Sequence, residues 1–410
     1  MLMCAVNELE PGWIVGATVV HPKRPKTQLL APNTELTATI IATLKRLKVD
    51  RVWITGDAYE DYDAGASRAL SREQRGVYEA LMDDFAGRAK TTIAHASMQT
   101  YKQRVNDLIL TAISNRKYAS LAARMRSDQD ALFAHGASVA YLSVVCGLEL
   151  EPYIIRERAR LSADKAIDHV SLGLAGLLHD VGKTNCDFEV RDQHEVCLTD
   201  GDDVDAYREH VQVGYKMLEG ANAPASVRVA VRMHHTRWDG TGWPDGPGCG
   251  LRDRPVIEGR TIHIYSRIVA AANVLDNLLA ASRDDARCAV EALSDFASPE
   301  YDGWFDPVVR TALLRAVQPF AVGSRVVLSD GTVCAVVVPN PDLPCLPSVK
   351  PLETDSEIID LATDPDGRRI HRHEGRDVSS FYYEPGQKTC DFENSCPAPP
   401  VYEDRTDAAA

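Results

Sequence analysis

The chain has 410 residues, of which 45% are hydrophobic and 25% charged. That length and balance exclude both a single small core and a mostly unstructured polymer, and point to two or three folded domains. The formal net charge of −14 excludes a general binder of duplex nucleic acid, whose affinity rests on basic surface, but not a small anionic ligand held by local cations or metal ions.

The first residues, MLMCAVNELEPG, carry no basic stretch ahead of an apolar core and do not read as a signal peptide. No apolar run approaches the ~18 residues of a membrane span, so a cytoplasmic protein without membrane contact is expected. The ten cysteines are scattered and form no CxxC pair, which suits reduced structural thiols. Cys390 and Cys396, in the polar tail, are a weak candidate for an exposed pair.

Residues 1–60 read as a small α+β domain. Trp13–Val15 and Ala17–Val20 are strand-like around a glycine. Pro32-Asn33-Thr34 is expected to open a helix carrying Leu36, Ile40, Ile41, Leu44 and Leu47, and Arg51–Thr55 reads as a strand. Residues 61–110 read as a linker or helical connector. From 111 to 320 the pattern is helical. The segment Ser162 to Asp180 has a serine start and an apolar stripe at Ile167, Val170, Leu172, Leu174, Leu177 and Leu178. Residues 321–375 form a small β-rich appendage. There, two apolar runs flank Asp330-Gly331, a hairpin signal. Residues 376–410 are expected to be disordered.

Two stretches carry chemistry. LLHDVGK places His179 beside Asp180 at the end of an apolar helix, a nitrogen and oxygen pair suited to Fe, Mn or Zn. Lys183 follows at a spacing that keeps it on the same face if the helix continues. MHHTRWDGTGWPDG sets His234 and His235 ahead of a loop of glycines, tryptophan and proline. His135 and His210 lie in further helical segments, and a bundle core can gather side chains from all of them. A lone histidine on a helix is usually an ordinary hydrogen-bonded residue. The order HD, GK, HH and RWDGTGWP carries the signal.

Those residues resemble the HD-GYP family, a branch of the HD superfamily of metal-dependent phosphohydrolases. The resemblance spans about 125 to 320 and includes Ser266–Asp276 as the family's next helix. Residues 1–60 are similar to a small domain that often precedes HD-GYP, and the hairpin after 320 to a recurrent appendage. The implied fold class is mainly α: a helical HD-GYP bundle with a small N-terminal α+β domain and a C-terminal β-hairpin-rich appendage. The implied function is metal-dependent phosphodiester hydrolysis of cyclic di-GMP to linear pGpG or GMP in bacterial signalling. Two divalent metal ions are implied, most often iron or manganese, with zinc, magnesium or nickel compatible.

Carried over by position, His135, His179, Asp180, His210, His234, His235 and Asn273 match metal ligands. Asp180 is the bridging carboxylate, and Asp180 and Lys183 are the catalytic pair. Lys183, Arg237, Asp239, Gly242, Trp243, Pro244 and Arg267 are candidates for substrate binding. The implied ligand is cyclic di-GMP or a related small nucleotide. Protein signalling partners and a homodimer are compatible with the resemblance.

Four positions depart from the family pattern. Asn273 stands where an aspartate ligand is usual, Trp243 where tyrosine is usual, and Thr236 where HHE is usual. Ala131 occupies the position of the glutamate found in three-metal members, so two metals are the upper expectation, with pGpG as the product. Two other readings stay open: a catalytically degenerate module that binds nucleotide or a protein partner as a regulator, and an HD-type phosphohydrolase acting on another phosphoester.

Overall fold

The computed structural model describes residues 1–22, 24–55, 64–85, 92–115, 131–185, 202–243, 257–280, 287–353 and 356–386. The first unit contains β1 (Leu2–Ala5), β2 (Ile14–Val15), β3 (Val19–His21), β4 (Arg24–Leu30), α1 (Ala38–Arg46) and β5 (Arg51–Thr55). A sheet in the order β1-β5-β2 and the β3-β4 pair surround α1. The expected strand at Arg51–Thr55 is present, but β1 and β4 are additions to the sequence reading. The helix opens at Ala38 rather than at Pro32-Asn33-Thr34. Asn33 takes a positive φ of 65°, and the Thr37 hydroxyl accepts from the Ile40 amide at 3.2 Å as the N-cap.

The stretch read as a connector holds α2 (Ala64–Phe85) and α3 (His95–Ser114). Leu70, Val77, Leu81, Tyr101, Val105 and Leu108 place both helices in the main core, so this stretch is integral to the bundle. The bundle continues with α4 (Ala131–Glu149), α5 (Glu151–Glu157), α6 (Ala163–Ala166), α7 (His169–Leu178), α8 (Asp202–Gly220), α9 (Ala225–Met233), α10 (Ile264–Ala280), α11 (Ala289–Ala297) and α12 (Pro307–Ala316). The segment from Ser162 is therefore broken. A short turn ends at Ala166, and α7 restarts with the Asp168 carboxylate accepting from the Ser171 amide at 2.9 Å.

Helix α4 is apolar on every side and long enough to cross a bilayer, which corrects the reading that no run approaches that length. Most of it is buried inside the fold, as expected of a central core helix. It packs closely on α7. A Cβ added at Gly176 would lie 2.8 Å from the Ala140 Cα, and one added at Gly136 would lie 2.7 Å from the Leu177 carbonyl oxygen.

After the bundle comes a six-stranded antiparallel sheet, made of β6 (Arg325–Leu328), β7 (Val333–Val338), β8 (Ser348–Pro351), β9 (Ile359–Asp360), β10 (Ile370–His373) and β11 (Arg376–Asp377). The Asp330-Gly331 hairpin joins β6 to β7, with Arg325 opposite Ala335 and Gly331 at φ 89°. Order does not stop at 375, where disorder was expected to begin. Strand β11 pairs with β10, and the Tyr382 hydroxyl donates to the Ile370 carbonyl at 3.0 Å. The remaining tail, 387–410, including Cys390 and Cys396, lies outside the described residues. Cys4, Cys146, Cys288, Cys334 and Cys345 are buried and reduced.

The two ends of the chain meet. The Met3 amide donates to the Gly323 carbonyl at 2.7 Å, Arg325 pairs with Glu8 at 2.9 Å, and Arg51 pairs with Glu374. Ala335 of β7 belongs to the core of the N-terminal unit.

Close approach of α4 and α7 is testable. Gly176→Ala is expected to lower the urea denaturation midpoint by the equivalent of about 1–3 kcal/mol. Gly220→Ala, whose added carbon meets nothing within 4 Å, should leave the midpoint unchanged or raise it by up to about 1 kcal/mol.

Candidate metal centre

Five imidazoles and one carboxylate converge where α4, α7, α8 and α9 meet. His135 lies on α4, and His179 is the residue that ends α7, followed at once by Asp180. His210 lies on α8, His234 ends α9, and His235 comes next. All but His135 are at most 4% exposed. Asp180, His210, His234 and His235 present one donor atom each within 4.8 Å of one another, and His135, His179 and Asp180 form a second such set.

Asp180 divides its oxygens between the two sets. Its Oδ1 lies 3.1 Å from His210 Nε2 and 3.5 Å from His234 Nε2. Its Oδ2 lies 3.4 Å from His179 Nε2, 4.0 Å from His135 Nε2 and 2.8 Å from Lys183 Nζ. The helix does not continue to Lys183. A 3-10 turn, Val181–Asn185, carries the lysine back to the same carboxylate. Gly182 allows that turn to lie on α8, since a Cβ there would come 1.9 Å from the His210 carbonyl oxygen.

The imidazoles are held in one tautomer by the backbone. His179 Nδ1 is 2.8 Å from the Gly176 carbonyl, His234 Nδ1 is 2.8 Å from the Val231 carbonyl, and His210 Nδ1 bonds the Tyr207 carbonyl. Each bond runs to the residue three places earlier. For His179 and His234 the acceptor is one of the carbonyls left over at a helix end. With Nδ1–H donated to a carbonyl, the Nε2 lone pair points into the cluster. That outer bond is the usual second shell of a metal-bound histidine. None of these three Nε2 atoms, nor Asp180 Oδ1, has an aligned hydrogen-bond partner. Buried polar atoms rarely go unsatisfied, and one cation in each set would satisfy these four.

Protonation states agree with that reading. Burial pushes the His179 imidazole down to about 4, and burial also lowers His210, His234 and His235. Burial alone would raise the Asp180 carboxyl, but the Lys183 ammonium and then His179 outweigh it and hold it well below the usual range. Neutral imidazoles around a carboxylate are the ligand form.

Trp243 does not face outward as a substrate-binding wall. Its ring is buried and stacks on His235, 4.1 Å between centroids and 17° between planes. The Trp243 amide donates to the His235 carbonyl at 3.2 Å, and the Thr236 hydroxyl donates to the Trp243 carbonyl at 3.3 Å. Gly242 makes this fold-back feasible, because a Cβ there would come 2.1 Å from the His235 oxygen. Gly240 takes a φ of 76°, as expected of a glycine-rich loop.

Arg267 is also a correction. It is buried, with its guanidinium committed to Glu157 and to Asp306 at 2.5 Å, so its donors serve an internal ion-pair network. Arg237 stacks over the Trp304 ring at 3.4 Å. Asp239 is exposed and caps its own turn, accepting from the Thr241 amide at 2.9 Å. Pro244 lies outside the described residues. Asn273 does join the cluster: its Oδ1 is 2.9 Å from His135 Nε2.

Two further residues join the site, of which Tyr207 was not singled out from the sequence. Asp276 places Oδ2 2.7 Å from His135 Nδ1, a carboxylate behind a histidine of the cluster. Its spacing of one helical turn from Asn273 marks it in the sequence as a candidate substitute for that residue; in the structure it stands behind His135 instead. Tyr207, one turn before His210, packs its ring at 5.0 Å from His210 and 4.7 Å from the Lys183 ammonium. Nothing in its local sequence marks it.

A model of the HD domain family matches residues 153–309. Residues 153–309 of the chain thus carry an HD domain. Curated relatives include the cyclic di-GMP phosphodiesterase PA4108 of Pseudomonas aeruginosa, 28% identical over 285 residues that make up 68% of this chain and 60% of the relative. Another is the cyclic di-GMP phosphodiesterase response regulator RpfG of Xanthomonas campestris pv. campestris, 31% identical over 149 residues, 35% of each chain. The chain thus spans less than two thirds of the length of these relatives. A solved structure, the HDGYP protein Bd1817 of Bdellovibrio bacteriovorus, is 16% identical with a TM-score of 0.45, covering 77% of this chain and 97% of that one. Within the matched span the HD dipeptide is His179-Asp180.

The depressed imidazoles set a direction for pH. Unfolded histidine titrates near 6.5, whereas folded His179 titrates near about 4, so the unfolded chain takes up a proton that the fold refuses. This stability is complete above pH 6.5 and is lost as pH falls toward 4. Metal-stripped protein should therefore lose roughly 2 kcal/mol from His179 alone between pH 7 and pH 5, read from urea midpoints. A flat profile over that range would contradict the burial argument.

Proposed function

We propose that this protein is a metal-dependent phosphodiesterase that hydrolyses cyclic di-GMP to linear pGpG in cytoplasmic bacterial signalling. The observation that carries the proposal is the Asp180 carboxylate, one oxygen toward His210 and His234, the other toward His179, His135 and Lys183. The names of the curated relatives supply the substrate class. Two divalent cations, iron or manganese by donor type, would be held by His135, His179, Asp180, His210, His234 and His235, with Asn273 beside them. When bound, such cations supply positive charge to phosphoryl oxygens and acidify water.

The chain's own residues do the rest. Asp180 spans the two halves and fixes their separation. Lys183 sets an ammonium beside that carboxylate, close enough to meet the charge of a phosphate. Trp243 and Tyr207 fill the space behind His235 and His210 and keep water from those rings. Arg237 and Asp239 remain candidates to flank the nucleotide from the loop.

Asn273 favours a second reading, a regulator that binds nucleotide without turnover, because its amide is neutral where a charged oxygen would hold a cation better. The two are separated by one experiment on purified protein: elemental analysis together with chromatography of cyclic di-GMP incubated with enzyme. The expected result is bound divalent metal and formation of pGpG, with both falling to background in His210→Ala and Asp180→Ala. Metal-loaded protein that binds cyclic di-GMP but leaves it intact would favour the regulator.

A further inference from the structure

The two halves of the cluster differ in ways that bear on how firmly each holds a cation. One half offers four donors, Asp180 Oδ1, His210, His234 and His235, all buried. Its rings are fixed before any ion arrives: His210 and His234 through their Nδ1 bonds to carbonyls, and His235 between the Trp243 ring at 4.1 Å and the His234 ring at 4.0 Å. Ligands that need no reorganisation bind with less entropic loss.

The other half offers three donors, Asp180 Oδ2, His135 and His179. Its shared oxygen already has an ammonium, Lys183 Nζ, at 2.8 Å. A cation entering there meets a like charge in a buried setting, where Coulomb repulsion is poorly screened. The His135 ring is held on both sides: Nδ1 is 2.7 Å from Asp276 and Nε2 is 2.9 Å from Asn273 Oδ1. Asn273 Oδ1 also accepts from Asn277 Nδ2 at 3.2 Å. Binding through His135 Nε2 therefore displaces an existing contact, and the amide oxygen nearby adds no negative charge to offset the loss.

We infer that the centre holds its two cations unequally: one tightly at Asp180 Oδ1 with His210, His234 and His235, and one weakly and exchangeably at Asp180 Oδ2 with His135 and His179, where Lys183 competes for the same oxygen. The weaker cation then makes the centre responsive to the free concentration of divalent ion, while the tighter one stays in place as part of the fold. This rests on the metal-centre reading behind the proposed function.

The test is a titration of the full-length, chelator-stripped protein with Mn2+, followed by calorimetry and by the electron paramagnetic resonance signal of the free ion. Two steps of one equivalent each are expected, separated at least about tenfold in Kd. Lys183→Met removes the competing charge and Asn273→Asp adds a negative oxygen. Asn273→Asp should tighten the second step about tenfold and leave the first in place, whereas Lys183→Met should tighten the second step about tenfold and move the first by less, since the ammonium also reaches His210 and His235. Either variant serves if the other fails to fold. Two equivalents taken up in one indistinguishable step overturn the inference, and so does a second step that neither variant moves. Failure to bind any Mn2+ has a different meaning: it removes the metal centre itself, and the proposed function with it.

Discussion

A carboxylate buried where four helices meet is the constraint on which this structure depends. Withdrawing Asp180 from water is costly unless its charge is met from within the protein. The fold meets it with Lys183 at 2.8 Å and a ring of imidazole nitrogens. Those partners come from α4, the end of α7, α8 and the end of α9, so packing of the bundle and assembly of the site are one event. The glycines at 136, 176 and 182 bring the elements close enough, each at a place where a Cβ would meet a neighbouring backbone. A substitution there acts on the core and on the cluster together.

Behind the inner groups lies a second layer that sets their direction. Backbone carbonyls three residues upstream take the Nδ1 protons of His179, His210 and His234. Aromatic rings take the place of carbonyls at His235, which stacks on Trp243. A carboxylate does so at His135, through Asp276. Trp243 belongs to this layer through its ring: the contact is with an imidazole, and an indole provides a broad face for stacking. Arg267, by contrast, is conspicuous in the sequence yet remote in role. Its charge is spent on Glu157 and Asp306.

The flanking modules are joined to each other as well as to the bundle. Strand β1 runs beside the start of the C-terminal sheet, and the ion pairs Glu8–Arg325 and Arg51–Glu374 cross between them. Arg376 of the same sheet reaches Glu291 on α11 of the bundle. The first and last described segments thus form one continuous support on the helical domain.

Much of this was legible in the linear chain. The identities of the six inner residues, the helical character of the described part of 111–320, the Asp-Gly hairpin and the strand at Arg51–Thr55 all follow from spacing and residue type, which act over a few neighbours. Other features depended on distant partners. That α2 and α3 belong to the core reflects a surface contributed by α4 and α7. That order runs past 375 reflects β10 pairing with β11. Tyr207 became a neighbour of Lys183, and Asp276 of His135, only when separate helices were packed together. Residue types and local periodicity determined which groups could bind a cation. Long-range packing decided which oxygen of Asp180 each imidazole faces, because that depends on where whole helices lie relative to one another.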